Sequence, residues 1–214
     1  MFQLPIDKLQ ALFAAVAAKE ALYIPADDAG GQPRYQRWQE GLEMTKALNT
    51  VRSAKDFFFP QTENLVDFKM KGKEIEIVDP RTEHEDFVIF GVRACDVKSF
   101  EVLDRVFLSE PVDTYYKNRR EHGVIVSLAC NKPVETCFCH TFGIDASDPD
   151  GDVVCWKDDD ALYMKAKTEK GEKLLKSIES VTESADENAA NKQRKIIADR
   201  LEKLPLRSLS ADAF

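Results

Sequence analysis

Thiols are the groups in this sequence whose number and spacing could do chemistry. Four of the five cysteines fall between positions 95 and 139 and form a possible ligand set: Cys95, Cys130, Cys137 and Cys139. Four converging thiolates are what an iron–sulfur cluster or a structural zinc ion requires. The spacing matches no simple ferredoxin or zinc rule, so chemically inert buried cysteines stay an alternative. Cys155 lies on a separate predicted hairpin and is not expected to take part.

Two apolar runs are expected to bring these thiols together. The runs 86–92 and 123–129 are typical of strands covered on both faces, and Cys95 and Cys130 follow directly after them. The helical pattern between the runs predicts a parallel βαβ unit. Because ligands bind at the carboxyl edge of such sheets, both thiols should share that edge. The loop that follows Cys130 is too short to carry the other two cysteines far away.

Asp96 is predicted to cap the helix that links the two strands. Apolar residues recur behind it at helical spacing, from Val97 to Phe107. The amino end of that helix would point at the thiols, and its dipole favours anionic sulfur. Asp96 and the first backbone amides of the helix are therefore the expected cofactor-binding groups around the thiol ligands.

The remaining pattern predicts an α/β fold with a mixed sheet, flanking helices and a carboxyl-terminal helix. The aromatic run Phe57 to Phe59 is expected in the core. The other predicted elements are a helix at 5–21, a strand at 74–78, a helix at 113–121, a hairpin at 153–156 and 161–165, and a charged, largely helical stretch at 168–204 that is weakly ordered near 180–191. The chain is divided into an α/β cysteine-containing domain, 1–170, and a helical segment, 171–214.

Composition excludes several classes of function. The chain has 214 residues, of which 43% are hydrophobic and 32% charged, and its net charge is −8. A dominant nucleic-acid role is not expected, because phosphate binding needs a basic face. No apolar run is long enough to span a bilayer. An odd number of cysteines without a secretory signal indicates a reducing compartment, the cytoplasm.

A thiol enzyme is the remaining alternative from the residues alone. Cys139 stands beside His140, as a nucleophile stands beside a base. Neighbours along an extended chain point in opposite directions, however, which disfavours a catalytic dyad.

Several short motifs resemble two related proteins, the iron–sulfur electron-transfer subunit of anaerobic sulfite reductase and the beta subunit of sulfhydrogenase-type nickel–iron hydrogenases. The resemblance spans most of the chain, roughly 5–175. The matching pieces are FGVRACD at 90–96, LDRVF at 103–107, SAK at 53–55, FP at 59–60, DTYY at 113–116, RRE at 119–121 and ACNKPVETCFC at 129–139.

This resemblance implies a non-catalytic electron-transfer component with a [4Fe–4S] cluster on Cys95, Cys130, Cys137 and Cys139. Its implied partners are a flavin- and nicotinamide-linked reductase subunit together with a terminal reductase or hydrogenase subunit. The alternative is a structural, subunit-docking domain with inert cysteines or a zinc site. The basic run 117–120 and the carboxyl-terminal helix are the expected docking elements.

The chain departs from the family pattern at its end. Members usually continue into a ferredoxin-like module with two Cys-x2-Cys-x2-Cys-type runs, and no such run precedes Phe214. We therefore expect an amino-terminal domain, with 171–214 leading to a missing ferredoxin-like module; a reduced relative of the family is the alternative.

Overall fold

Strands dominate the computed structural model, which describes residues 1–82 and 85–210. Within these ranges an eight-stranded sheet has the order β10-β1-β9-β8-β7-β6-β2-β3, and β4 and β5 form a separate two-stranded sheet. The strands are β1 (Phe2–Pro5), β2 (Ala21–Asp27), β3 (Pro33–Arg37), β4 (Asp67–Lys71), β5 (Glu74–Val78), β6 (Phe87–Val92), β7 (Gly123–Leu128), β8 (Val153–Lys157), β9 (Ala161–Ala166) and β10 (Glu183–Ser184). The helices are α1 (Leu9–Ala17), α2 (Ala94–Phe107), α3 (Thr114–His122), α4 (Glu169–Ser177) and α5 (Glu187–Leu201).

The centre of the large sheet is parallel, and its flanks are antiparallel. Strands β2, β6, β7 and β8 run parallel to one another, with Ile89 of β6 opposite Ile125 of β7. The predicted mixed α/β sheet with adjacent parallel β6 and β7 is therefore confirmed. The predicted hairpin is confirmed as β8 and β9, which pair in antiparallel fashion.

Side chains of the central strands alternate between two cores, as the pleat requires. Val88 and Phe90 belong to the core that α1 and α4 cover. Ile89 and Ile125 face the opposite core, beneath α2 and the buried ring of Phe58. Coverage on both faces explains why β6 and β7 are apolar at almost every position.

A bulge at Gly91 changes this alternation just before β6 ends. Gly91 has φ +80°, and the register with β7 shifts between Phe90 and Val92. The extra residue turns Val92 to the face of Ile89, which strict alternation would not allow. A Cβ at position 91 would lie 3.2 Å from Met44 Cε, so both the backbone angle and the space favour glycine. The bulge thus sets the direction in which the chain leaves the sheet toward Cys95.

The carboxyl-terminal stretch folds back onto the sheet. Helix α5 buries Ala190 and Ile197 against Val154 and Trp156 of β8. The irregular part expected near 180–191 lies between α4 and α5, although α5 already begins at Glu187. The division into 1–170 and 171–214 stays a prediction, and positions 211–214 lie outside the described residues.

Three elements differ from the sequence-based expectation. The helix predicted at 5–21 is confined to α1, because β1 precedes it and Ala21 already pairs with Phe87 in β2. Strands β1 to β3 carry no sustained alternation and were not predicted. Strand β4 was not predicted either, although Phe68 and Met70 alternate there with charged residues. Of the aromatic run, Phe58 is fully buried, whereas Phe59 is 49% exposed.

Among the described residues, no helix combines the length and the apolarity that crossing a membrane requires.

Candidate functional site

The candidate site lies at the carboxyl edge of the parallel strands. Cys95 occupies the first turn of α2, directly after β6, and Cys130 follows β7. Because β6 and β7 are adjacent and parallel, their ends meet at one edge of the sheet. Cys95 is exposed and Cys130 is buried. The edge therefore carries one accessible thiol and one that is largely buried.

The loop after β7 brings Cys139 back to the same edge. The amide of Cys130 donates to the carbonyl of Ala146 (2.9 Å), and the amide of Ile144 donates to the carbonyl of Cys139 (3.1 Å). Between these anchors a 3₁₀ turn, Cys139–Phe142, ends at Gly143 in the left-handed region. As a result Cys139 packs with Cys130 and Ala146 in one small apolar cluster.

The thiol of Cys139 lies close enough to that of Cys95 to act on its pKa as a hydrogen-bond partner. This interaction lowers the pKa of Cys95 from 9.0 to about 7 and raises the pKa of Cys139. The two groups share one proton, so they titrate as a pair. Burial raises the pKa of Cys130 to about 11. Cys137 lies within electrostatic range of both Cys130 and Cys139.

Thiols are suitable ligands for a metal cofactor, but these four are not close enough together to hold a single metal ion. In the described part of the chain, no three His, Cys, Asp or Glu side chains are gathered closely enough to ligate one metal ion. A cluster of several irons holds its ligand sulfurs farther apart than a single ion does. A cavity of about 380 Å³ lies beside Cys137 and Cys139 at the end of α5, and neither Cys95 nor Cys130 lines it.

Cys155 lies apart from these four thiols. It is fully buried in β8, in the core that α1 and α4 cover. Burial alone raises its pKa, and none of the other thiols contributes. Its surroundings are those of a small apolar core residue.

Asp96 does not cap the helix, contrary to the expectation. Helix α2 begins at Ala94 after Arg93, which makes no side-chain capping bond. The bulge at the end of β6 starts the helix earlier, so Asp96 falls within the first turn. Its carboxylate accepts a hydrogen bond from Ser53 Oγ (2.5 Å), which ties the segment before residue 54 to α2. Its predicted part in cofactor binding stays a prediction.

Two residues beside the thiols were missed by sequence reasoning. The guanidinium of Arg93 favours the thiolate of Cys130, against the larger effect of burial, and donates to the carbonyl of Leu48 (3.1 Å). Burial raises the pKa of Tyr35, with the charges of Asp96 and Cys95 adding to it. A cation two positions before Cys95 was a usable signal for Arg93. Nothing in the sequence connects Tyr35 to the site.

Two further candidates from the sequence are His140 and the basic run 117–120. His140 contacts Thr141 Oγ1 through Nε2 at 3.5 Å, and the groups that shift the pKa of Cys139 are thiols. The basic run 117–120 lies on α3, next to the amino end of β7, whereas Cys130 follows the carboxyl end of that strand. Its role as a docking element stays a prediction. Its cations pair within the chain: Lys117 with Glu121, Arg119 with Glu63 and Arg120 with Asp104.

Cys95 is expected to be the first thiol that iodoacetamide alkylates in the metal-free chain. It is exposed, and its thiolate forms as the pH rises through about 7, whereas Cys130 needs a pH near 11. Mass spectrometry of peptides from samples alkylated along a pH series gives each rate. Cys139→Ala removes the hydrogen bond and should move the Cys95 midpoint upward, toward 9.0. An unchanged midpoint, or earlier modification of Cys155, would contradict this assignment.

Comparison with known proteins finds a relative among hydrogenase subunits. The chain is 32% identical over 126 residues to sulfhydrogenase 2 subunit beta of Pyrococcus furiosus, an alignment that covers 59% of this chain and 36% of that protein. No family model matches the chain, and no solved structure matches it. The match supports the resemblance to hydrogenase beta subunits. The likeness to the sulfite reductase component and the missing ferredoxin module stay predictions.

Proposed function

We propose that this chain is a non-catalytic electron-transfer domain of a multisubunit redox complex of the hydrogenase type. In this proposal Cys95, Cys130, Cys137 and Cys139 hold a [4Fe–4S] cluster. The observation that carries it is the convergence of thiols from two adjacent parallel strand ends and the loop between Cys130 and Ala146 at one edge of the sheet. An iron–sulfur cluster at this edge would supply one-electron transfer.

The chain's own groups prepare the thiols as ligands. Ligation requires thiolates, and the pKa of Cys95 is already lowered to about 7 by the contact with Cys139. Arg93 adds a positive charge near Cys130, and the amino end of α2 adds the favourable end of a helix dipole. The burial of Cys130 keeps water from that side, and both burial and hydrogen bonding tune the potential of such sites.

Partners are expected to approach at the rim of the thiol loop. Phe138 and Phe142 pack against each other at 5.8 Å and are 46% and 56% exposed, with Val134 exposed beside them in sequence. Exposed apolar groups around a redox site favour a transient protein contact. The proposed partners are a flavin- and nicotinamide-linked reductase subunit together with a terminal hydrogenase or sulfite reductase subunit. Such a complex would work in the cytoplasm, where thiols stay reduced.

A docking domain that holds zinc or uses inert cysteines is the second candidate. Among the described residues no three potential ligands lie close enough to hold one metal ion, which favours inert cysteines, and a zinc site would require the thiols around Cys95 and Cys139 to move together. In that case the domain would position other subunits and carry no electrons.

Anaerobic reconstitution separates these two functions. The purified chain is incubated with iron and sulfide, in parallel with a zinc sample, and desalted before metal and sulfide are counted. The electron-transfer proposal expects iron and sulfide in equal amounts and reversible one-electron reduction, followed by electron paramagnetic resonance. Tight zinc binding without iron uptake would support the docking domain, and so would iron that cannot be reduced reversibly.

A further inference from the structure

The β4–β5 hairpin carries an exposed apolar face. Phe68 lies opposite Ile77, and Met70 lies opposite Ile75, so the pleat places all four side chains on one face. They are between 65% and 75% exposed. Four large apolar side chains in such an array are unusual on the surface of a monomer, because each keeps most of its area in water.

The opposite face of this hairpin is charged and balanced. Lys69 lies opposite Glu76, and Lys71 lies opposite Glu74. Across positions 67–78 there are three lysines and three acidic residues, in a chain whose net charge is −8. The hairpin is therefore locally neutral on an acidic protein. A second copy can approach it without the repulsion that its charge would cause elsewhere.

The hairpin is anchored at both ends while its apolar face stays uncovered. Before β4, the carbonyl of Leu65 accepts a hydrogen bond from Tyr115 Oη of α3 (2.7 Å). After β5, Arg81 donates to Thr114 Oγ1 of the same helix (2.6 Å). Both flanks are thus held on α3. A two-stranded sheet is marginal by itself and needs packing on its apolar face. Within 1–82 and 85–210 nothing covers that face.

The size of the face suits a small symmetric interface. The four hairpin side chains offer on the order of 500 Å² per chain, scaled from the area of large apolar side chains and their exposure. Two copies placed face to face would bury on the order of 1,000 Å², the size that a biological interface should reach.

We propose that the apolar face of the β4–β5 hairpin is a homodimer interface, in which it packs against the same face of a second copy around a two-fold axis. A two-fold interface requires a surface that is complementary to itself. An apolar face without net charge meets this requirement. The hairpin has no net charge that would favour a basic or an acidic partner. This inference does not depend on the thiol site.

Sedimentation velocity over a range of protein concentrations tests the proposal on the full chain. The wild type should approach twice the chain mass in a saturable way. Sodium chloride should have little effect, whereas sulfate should strengthen association, because apolar burial drives it. Ile77→Lys should weaken the dimer by at least about tenfold, since it buries two ammonium groups in one apolar contact. Ile77 is 75% exposed, so the monomer should keep its circular dichroism spectrum.

The matched control is Val102→Lys, which makes the same charge change at a residue of α2 that is 55% exposed. It should dimerise like the wild type. A wild type that stays monomeric at every concentration overturns the proposal and leaves a different protein as the occupant. Equal weakening by both variants overturns it too. Open-ended growth beyond the dimer would indicate strand-edge pairing in its place.

Discussion

Replacing Cys130 by alanine is expected to lower iron retention after anaerobic reconstitution to the background level. The change removes one of the four proposed thiolate ligands, the one that is buried. Loss of a group that only supports a ligand already costs about 10- to 100-fold in metal affinity, so loss of a ligand should cost at least as much. Iron and sulfide counts on desalted protein, together with visible absorbance, measure the effect.

The matched control is the same substitution at Cys155. That thiol is fully buried in the core under α1 and α4. It does not pack with the other four thiols, and none of them contributes to its pKa shift. Cys155→Ala should therefore retain iron like the parent, with a modest loss of stability from the small cavity. Alanine variants of Cys95, Cys137 and Cys139 should behave like Cys130→Ala. Full iron retention in any of the four would remove that residue from the proposed ligand set.

Phe58→Ala should cause a large loss of stability, about 3–5 kcal/mol in the free energy of unfolding. The ring is fully buried and packs edge-on against Phe100, with centroids 5.0 Å apart. The Arg120 guanidinium lies 4.8 Å from its centroid, and Gly123 leaves the space that its edge fills. Truncation would open a cavity between α2 and the sheet. Urea unfolding followed by fluorescence and by circular dichroism measures the loss.

Phe59→Ala provides the comparison, because it removes the same side chain one position along. Phe59 is 49% exposed and contributes mainly its stacking on Phe107, at 4.7 Å. Such an aromatic contact accounts for about 0.5–1.5 kcal/mol. The shift of its unfolding midpoint should therefore be several times smaller. Equal shifts for the two variants would mean that Phe58 does not support the core beneath α2.

The site's location could be predicted because it depends on local order along the chain. The runs that became β6 and β7 are apolar at nearly every position, which indicates strands covered on both faces. A helical pattern between them requires a crossover, and a crossover makes neighbouring strands parallel. Cys95 and Cys130 follow the two runs directly, so their common edge follows from the sequence.

The strands beside this unit could not be predicted in the same way. Strand β2 contains Pro25, which argues against a central strand. Its pairing with β6 covers only Ala21 to Tyr23, so Pro25 lies beyond the parallel ladder. Alanine-rich sequence before it favoured one long helix by propensity, and tertiary pairing at Ala21 overrode that preference.

By itself, the sequence determined the fold class, the parallel pair β6–β7 and the edge at which Cys95 and Cys130 meet. Periodicity and chain order encode these features locally. Only the tertiary structure decided that the Cys139 thiol acts on the pKa of Cys95, that Asp96 accepts a hydrogen bond from Ser53 Oγ and that the β4–β5 hairpin leaves its apolar face uncovered. Each of these features depends on the direction that the chain takes after a loop or a bulge. That direction is set by packing between residues far apart in sequence, which a local sequence pattern does not encode.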